Sequence, residues 1–366
     1  MNRLILIGNG FDLAHGLKTS YKHFIDDFWI KKLIIFTDCL KTNSLKRMPN
    51  IDYGNFDVYN YSDKEITVNV IDYQRIMQNA AIIEEETGFK TFNSYIYNFR
   101  PNAHQNNYKF NNQFLGQITN KQQLEKWVDI EEEYYTSLLS CLQNRKNITN
   151  LNENFHQIQI ALQAYLSEQL EKNIVINRSI EEKMYSPLLQ SDFIEDIGKH
   201  FLEKIYFLNF NYTPTIDLYS SYRKNVKTIN IHGLLNNYNN PIIFGYGDEM
   251  DDNYKNIEKE ENEFLQYVKS FKYSKTNNYK ELLTFINSGM YQIYIMGLSC
   301  GTSDRTLLNT LFEHKHCKSI KIYYFKKNNV ENNFLDIYMN ISRCFNNKEK
   351  MREIVVSFEN SVPLSD

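Results

Sequence analysis

Four short segments of the chain carry residue types that do chemistry, and each follows an apolar run. In Leu208-Asn209-Phe210-Asn211-Tyr212-Thr213-Pro214 the run ends in Asn-x-Asn-Tyr-Thr. Asn211 and Tyr212 there offer neutral donors and acceptors to a ligand, or else Asn209, Asn211 and Thr213 only close the turn locally. In Ile229-Asn230-Ile231-His232-Gly233 a histidine directly follows an expected buried strand and precedes a glycine, a placement shared by no other of the eight histidines. Its imidazole would serve as a base near neutral pH. The third segment is Met296-Gly297-Leu298-Ser299-Cys300-Gly301-Thr302-Ser303-Asp304. Gly297, Ser299 and Asp304 suit ribose hydroxyls or a phosphate; the alternative is a loop with Ser303 or Asp304 as helix N-cap. Cys300 has no base beside it in the sequence and is not assigned as a nucleophile. The fourth is the opening, Leu4-Ile5-Leu6-Ile7-Gly8-Asn9-Gly10-Phe11-Asp12-Leu13-Ala14-His15-Gly16. Gly8, Asn9, Gly10 and Phe11 would bring backbone close to a phosphate at a helix start. A tight turn with Asp12 as N-cap fits them as well. His15 would line the same site. Position 13 is Leu rather than the third glycine of a hydride-transfer fingerprint.

These segments need a scaffold that collects strand ends. Buried strands are expected at Leu4–Ile7, Tyr206–Phe210, Lys227–Ile231, Ile242–Phe244, Tyr291–Met296 and Lys318–Phe325, with an edge strand at Ile354–Phe358. Helices between them imply a parallel sheet covered on both faces. Ser20 caps a helix with Tyr21, Phe24, Ile25 and Phe28 at helical spacing. A second helix begins at Trp127, and Leu151–Leu170 is amphipathic. Residues 41–120 read as a polar insertion with one clear strand, Ile66–Ile71, and a helix at Tyr73–Glu86. Asp248–Thr276 reads as a loop plus a charged helix. The expectation is an α/β fold: a Rossmann-like parallel sheet from residues 1–40 and 201–366, interrupted by a mainly helical insertion over 41–200.

The chain has 366 residues and a formal net charge of −3, with no basic stretch to suit nucleic acid. Its five cysteines are scattered without a C-x-x-C pair. That usage fits free thiols in a reducing cytoplasm. The opening apolar run is too short for a signal peptide, and no stretch approaches a membrane span. No acidic cluster has metal-ligand spacing, so no metal is expected. Glu131, Glu132 and Glu133 read as a solvated helix face, although Asp129 and Glu131 have the alternative of holding the site together.

Gly8-Asn9-Gly10-Phe11-Asp12-Leu13-Ala14-His15-Gly16-Leu17 with Thr19 and Tyr21, followed by Trp127-Val128-Asp129-Ile130-Glu131 with Tyr134, resembles the AbiH family of bacterial abortive-infection proteins. The order Gly-x-Gly, Asn-Tyr, His-Gly and Gly-x-Ser…Asp is also similar, more distantly, to sirtuin-like NADases of phage defence. That resemblance implies a sirtuin-like fold with NAD as substrate. Asn211 and His232 match the residues that cleave the nicotinamide–ribose bond, Gly8 and Gly10 match the phosphate loop, and Ser299 and Asp304 match a later ribose or phosphate loop. Thr213 stands where an acid often follows Asn-Tyr, and Asp12 where a serine is common. Asp12 would hold a ribose hydroxyl or stabilise the developing cation. The zinc ribbon of true sirtuins is missing. A cofactor-depleting activity implies restraint by a homo-oligomer or a defence-system partner, released by a phage-derived trigger. The alternative is a non-catalytic nucleotide sensor acting with a partner protein.

Overall fold

The computed structural model describes residues 1–42, 44–48, 58–71, 108–121, 127–144, 147–198, 200–220, 223–328 and 330–365. The helix expected at Tyr73–Glu86 lies outside them. The strands are β1 (Asn2–Ile7), β2 (Lys46–Arg47), β3 (Val58–Ser62), β4 (Ile66–Ile71), β5 (Tyr108–Phe110), β6 (Ile205–Asn209), β7 (Val226–Asn230), β8 (Tyr291–Met296), β9 (Cys317–Tyr324) and β10 (Val362–Pro363). Packing divides the chain into two units. One holds Met1–Thr19, Glu131–Ile148 and Leu166–Asp366; the other holds Ser20–Ile130 and Thr149–Tyr165.

The first unit is built on a six-stranded sheet of order β10-β9-β8-β1-β6-β7. Every pairing in it is parallel. Counted in chain order within the sheet, the strands run 3-2-1-4-5-6, the doubly wound Rossmann order. The order reverses between β1 and β8. Strands buried on both faces are apolar throughout rather than alternating, and β1 and β8 are buried at every position.

One face carries Leu4, Leu6, Leu208, Ile293, Ile295, Ile320 and Ile322, packed with Leu282 and Phe285, Leu308 and Leu311, and Ile337 and Ile341. Those residues lie on the helices Asn278–Asn287, Arg305–Phe312 and Phe334–Arg343. The other face carries Ile5, Ile7, Phe207, Tyr294 and Met296, packed with Phe11, Ile180, Met184, Ile216 and Tyr219. Residues 166–200, expected within the insertion, belong to this unit. Buried Arg3 on β1 anchors part of that segment, donating to Met184 O at 3.1 Å and Ser186 O at 2.6 Å.

Two expected strands are absent. Ile242–Phe244 is buried but irregular; its Ile243 N–H is taken by His232 O at 2.8 Å instead of a ladder. Ile354 closes the helix Lys348–Ile354, which starts at an Asn347 cap on Lys350 N–H. Val355 adds only an isolated bridge to Ile320, and the edge strand is the later β10. The segment 248–276 holds three short helices, Tyr254–Ile257, Asn262–Leu265 and Lys269–Tyr273.

The second unit is not purely helical. It contains the antiparallel sheet β2-β3-β4-β5 beside the helix Tyr21–Lys41. Ser20 caps that helix as expected, accepting from His23 N–H. Trp29 is fully buried with its ring 6.0 Å from Phe110, and Phe36 sits 5.5 Å from Tyr61. Lys32 Nζ bridges Asp63 and Glu65, each at 2.6 Å, fastening the helix to the β3–β4 hairpin.

Candidate functional site

Open parallel sheets bind ligands outside the carboxyl ends of their strands, at the point where strand order reverses. All four candidate segments emerge at that edge: Gly8 after β1, Asn211 after β6, His232 after β7 and Gly297 after β8. The glycines there serve contact between loops. A Cβ on Gly8 would stand 2.5 Å from Leu298 Cα, and one on Gly10 would stand 2.9 Å from Gly297 Cα. Gly297 has φ +79°, and a Cβ there would fall 2.1 Å from Phe11 N. The N–H groups of Gly8, Gly10 and Phe11 donate to Met296 O, Gly297 O and Gly8 O. Asn9 accepts from Thr19 Oγ1 at 2.6 Å.

The β6 turn does two jobs. Asn209 closes it locally, accepting from Asn211 N–H at 3.0 Å and donating to Thr213 O at 3.1 Å. Asn211 and Thr213 reach outward to the β1 loop. Asn211 Nδ2 donates to Gly8 O at 3.0 Å, and Thr213 Oγ1 donates to Asp12 Oδ2 at 2.6 Å. Asp12 lies inside the helix Asn9–Ala14, whose N-cap is Gly8, so it is not a cap. It is 1% exposed. Burial pushes its carboxyl up to about 6, against opposing hydrogen bonds from Thr213, Thr215 and Asn211. His15 has both ring nitrogens engaged, Nδ1 with Phe11 O at 2.7 Å and Nε2 with the Tyr219 hydroxyl at 2.6 Å. It braces the first helix against Tyr219. Ser299 is half-buried, and its carbonyl accepts from Asn340. Burial drives the Cys300 thiol well above its ordinary range, unlike an activated nucleophile.

His232 is the centre of a buried polar chain. Its Nδ1 lies 3.2 Å from Phe210 O, a pure acceptor, so that nitrogen carries a hydrogen. Nε2 is 3.2 Å from the Tyr273 hydroxyl and 3.1 Å from Asp304 Oδ1. In the neutral ring Nε2 accepts from Tyr273; with a second proton it donates to Asp304. Asp304 Oδ1 is 2.9 Å from Lys269 Nζ, which is 2.8 Å from Glu131 Oε2. Glu131 Oε1 accepts from Gly245 N–H at 3.2 Å. Burial works against the Asp304 charge, but Lys269 and His232 outweigh it and hold the carboxyl well below its usual range. Burial pulls Lys269 down, and Asp304 and Glu131 more than restore it. Tyr212 adds a hydroxyl donated to Ile243 O at 3.1 Å.

The solvated-face reading of the acidic run therefore fails. Glu131 and Glu133 are buried, and Glu132 accepts from the Thr302 hydroxyl. Lys269 and Tyr273, both central, carry no pattern that the sequence alone reveals; they sit in the polar segment that reads as a loop plus a charged helix. Among the described residues no group of three or more His, Cys, Asp or Glu is placed to hold a metal ion. No described helix is long and apolar enough to cross a membrane.

An all-parallel Rossmann-like sheet with polar side chains gathered at its switch edge defines an α/β protein whose candidate site lies at that edge. The family model described as "Bacteriophage abortive infection AbiH" matches residues 4–326, most of the chain. The chain belongs to the AbiH family, and a role in phage abortive infection follows from that membership. No curated protein and no solved structure matches the chain.

Proposed function

We propose that the chain acts in abortive infection by hydrolysing NAD, or a closely related nucleotide, to nicotinamide and ADP-ribose at the carboxyl edge of the sheet. The observation that carries this reading is the meeting of Asn211 with the β1 loop, beside Asp12 and the His232–Asp304 pair. The leaving nicotinamide is a neutral base once the glycosidic bond breaks, so the reaction needs no acid for it. The site must orient water and stabilise an oxocarbenium-like state. Asn211 orients the water or the nicotinamide ribose. His232 takes the proton of the attacking water at Nε2, and Asp304 stabilises the imidazolium that forms. Asp12 balances the developing positive charge. Gly8, Asn9, Gly10, Phe11, His15, Tyr212, Gly297 and Ser299 shape the cleft around the nucleotide.

His232 is only 4% exposed, and Asp304 and Tyr273 enclose Nε2. That burial favours an activity released by a partner or trigger. It equally favours the second reading, a nucleotide sensor whose output lies in a partner protein. The test follows NAD and nicotinamide with purified protein, with and without lysate of infected cells, beside Asn211→Ala and His232→Ala. Loss of turnover by at least about a hundredfold in each variant is expected, the usual contribution of a positioned acid–base group. Turnover that survives both substitutions overturns the assignment. NAD left intact under every condition, while nucleotide binds, establishes the sensor.

A further inference from the structure

A cavity of about 540 Å³ opens beside the buried polar chain, with Tyr273 in its wall. None of the residues assigned above to the sheet-edge cleft lines it. Its walls include Tyr273, Tyr279, Lys275, Lys280, Ser274 and Thr306. We propose that this cavity is a binding site for a nucleoside phosphate, with the phosphates on Lys275 and Lys280 and the base on Tyr279.

Three observations carry it. The volume is that of a small-molecule site, which runs from about 300 to 1,000 Å³. The rim is cationic: no described carboxylate pairs with Lys275 or Lys280, whereas Lys227 on β7 is already taken by Glu281 at 2.5 Å. Glu249 is the one acid in the wall. Lys272 reports the same surplus, its ammonium lowered first by burial and then by repulsion from Lys275. Unpaired ammonium groups beside hydroxyls suit phosphate oxygens. The aromatic wall is preformed: Tyr279 and Tyr273 lie parallel at 5.7 Å and 6°, and Tyr273 is parallel to the His232 ring at 6.2 Å and 6°. A base stacked on Tyr279 would extend that ladder. Tyr273 also carries the hydroxyl that meets His232 Nε2, so the cavity wall is continuous with the polar chain.

The site is tested by titration calorimetry with ADP, pyrophosphate and adenosine, which reads binding without any turnover. Lys275 and Lys280 are exposed, so Lys275→Glu/Lys280→Glu folds, and its melting temperature verifies this. Wild-type protein is expected to bind ADP and pyrophosphate, both more weakly at high salt. The double variant should lose about tenfold or more in affinity for both, the loss of two charge-assisted contacts. Tyr279→Ala should weaken ADP and adenosine while sparing pyrophosphate. The inference is overturned if wild type binds no ADP at millimolar concentration, or if the folded double variant binds it unchanged. It is also overturned if Asn211→Ala abolishes ADP binding while the double variant retains it, since ADP then occupies the sheet edge.

Discussion

Asp12 is a buried carboxyl held by hydroxyls, and no cation pairs with it among the described residues. The folded chain keeps its proton up to about pH 6, whereas an unfolded chain releases it near 3.8. Between those values the folded state binds more protons, so this group's contribution falls as pH rises through the window. A shift of about 2 units corresponds to on the order of 3 kcal/mol. Asp12→Asn keeps an oxygen for the Thr213 hydroxyl and removes the ionisation. Urea melts at pH 4.5 and pH 7 should show wild type losing stability toward neutral pH from this group, and the variant losing less. A variant less stable than wild type at pH 7 would contradict the assignment of Asp12 as a destabilising anion. The sequence marked Asp12, Asn211 and His232 by position after strands. It did not reveal that Asn211 bonds to Gly8 O and Thr213 to Asp12, because such partners lie some 200 residues away and leave no local pattern.

At the scale of elements, the strands with unbroken apolar runs were legible. Tyr291–Met296 and Ile66–Ile71 coincide with the expected bounds, and β6 and β7 differ by one residue at each end. Ile242–Phe244 and Ile354–Phe358 have the same apolar composition, and tertiary pairing decided against them. The Gly-x-Gly turn was legible as a turn, while its reason came from elsewhere: the β1 loop needs glycine because the β8 loop touches it. A paired substitution separates this contact from mere dihedral freedom. Gly16 and Gly297 have almost equal φ, +78° and +79°, yet a Cβ on Gly16 meets nothing within 4 Å and one on Gly297 meets Phe11 N at 2.1 Å. Gly16→Ala should cost about 1–2 kcal/mol, the left-handed penalty alone. Gly297→Ala should cost clearly more, at least about 3 kcal/mol, because two backbones must part. Equal losses in chemical denaturation would show that the loops yield freely.

Across the whole molecule, the site is assembled from distant stretches of chain. Glu131, His232, Lys269 and Asp304 meet in one buried chain. This is why Lys269 was not legible: its significance is a charge balance visible only after folding. Two carboxylates share one ammonium there, and the His232 ring lies against one of them. Breaking a buried pair by removing one partner costs about 3–5 kcal/mol, since the remaining charges stay buried. Lys269→Met, which keeps the stem and removes the cation, should lose that much at pH 7. Asp304 is held below its usual range chiefly because Lys269 and His232 outweigh its burial. Its contribution is therefore present above about pH 4 and is lost as pH falls further. Without Lys269 that acid-side loss should shrink, because Asp304 then keeps only His232 against its burial, and Glu131, already raised by burial, takes a proton more readily still. The gap between Lys269→Met and wild type should narrow from pH 7 toward pH 4 in denaturation melts. Glu131→Gln, which leaves Lys269 paired with Asp304, should cost less at pH 7 and show no comparable narrowing. A gap of constant size for Lys269→Met would mean that the methionine fails by packing and not by charge.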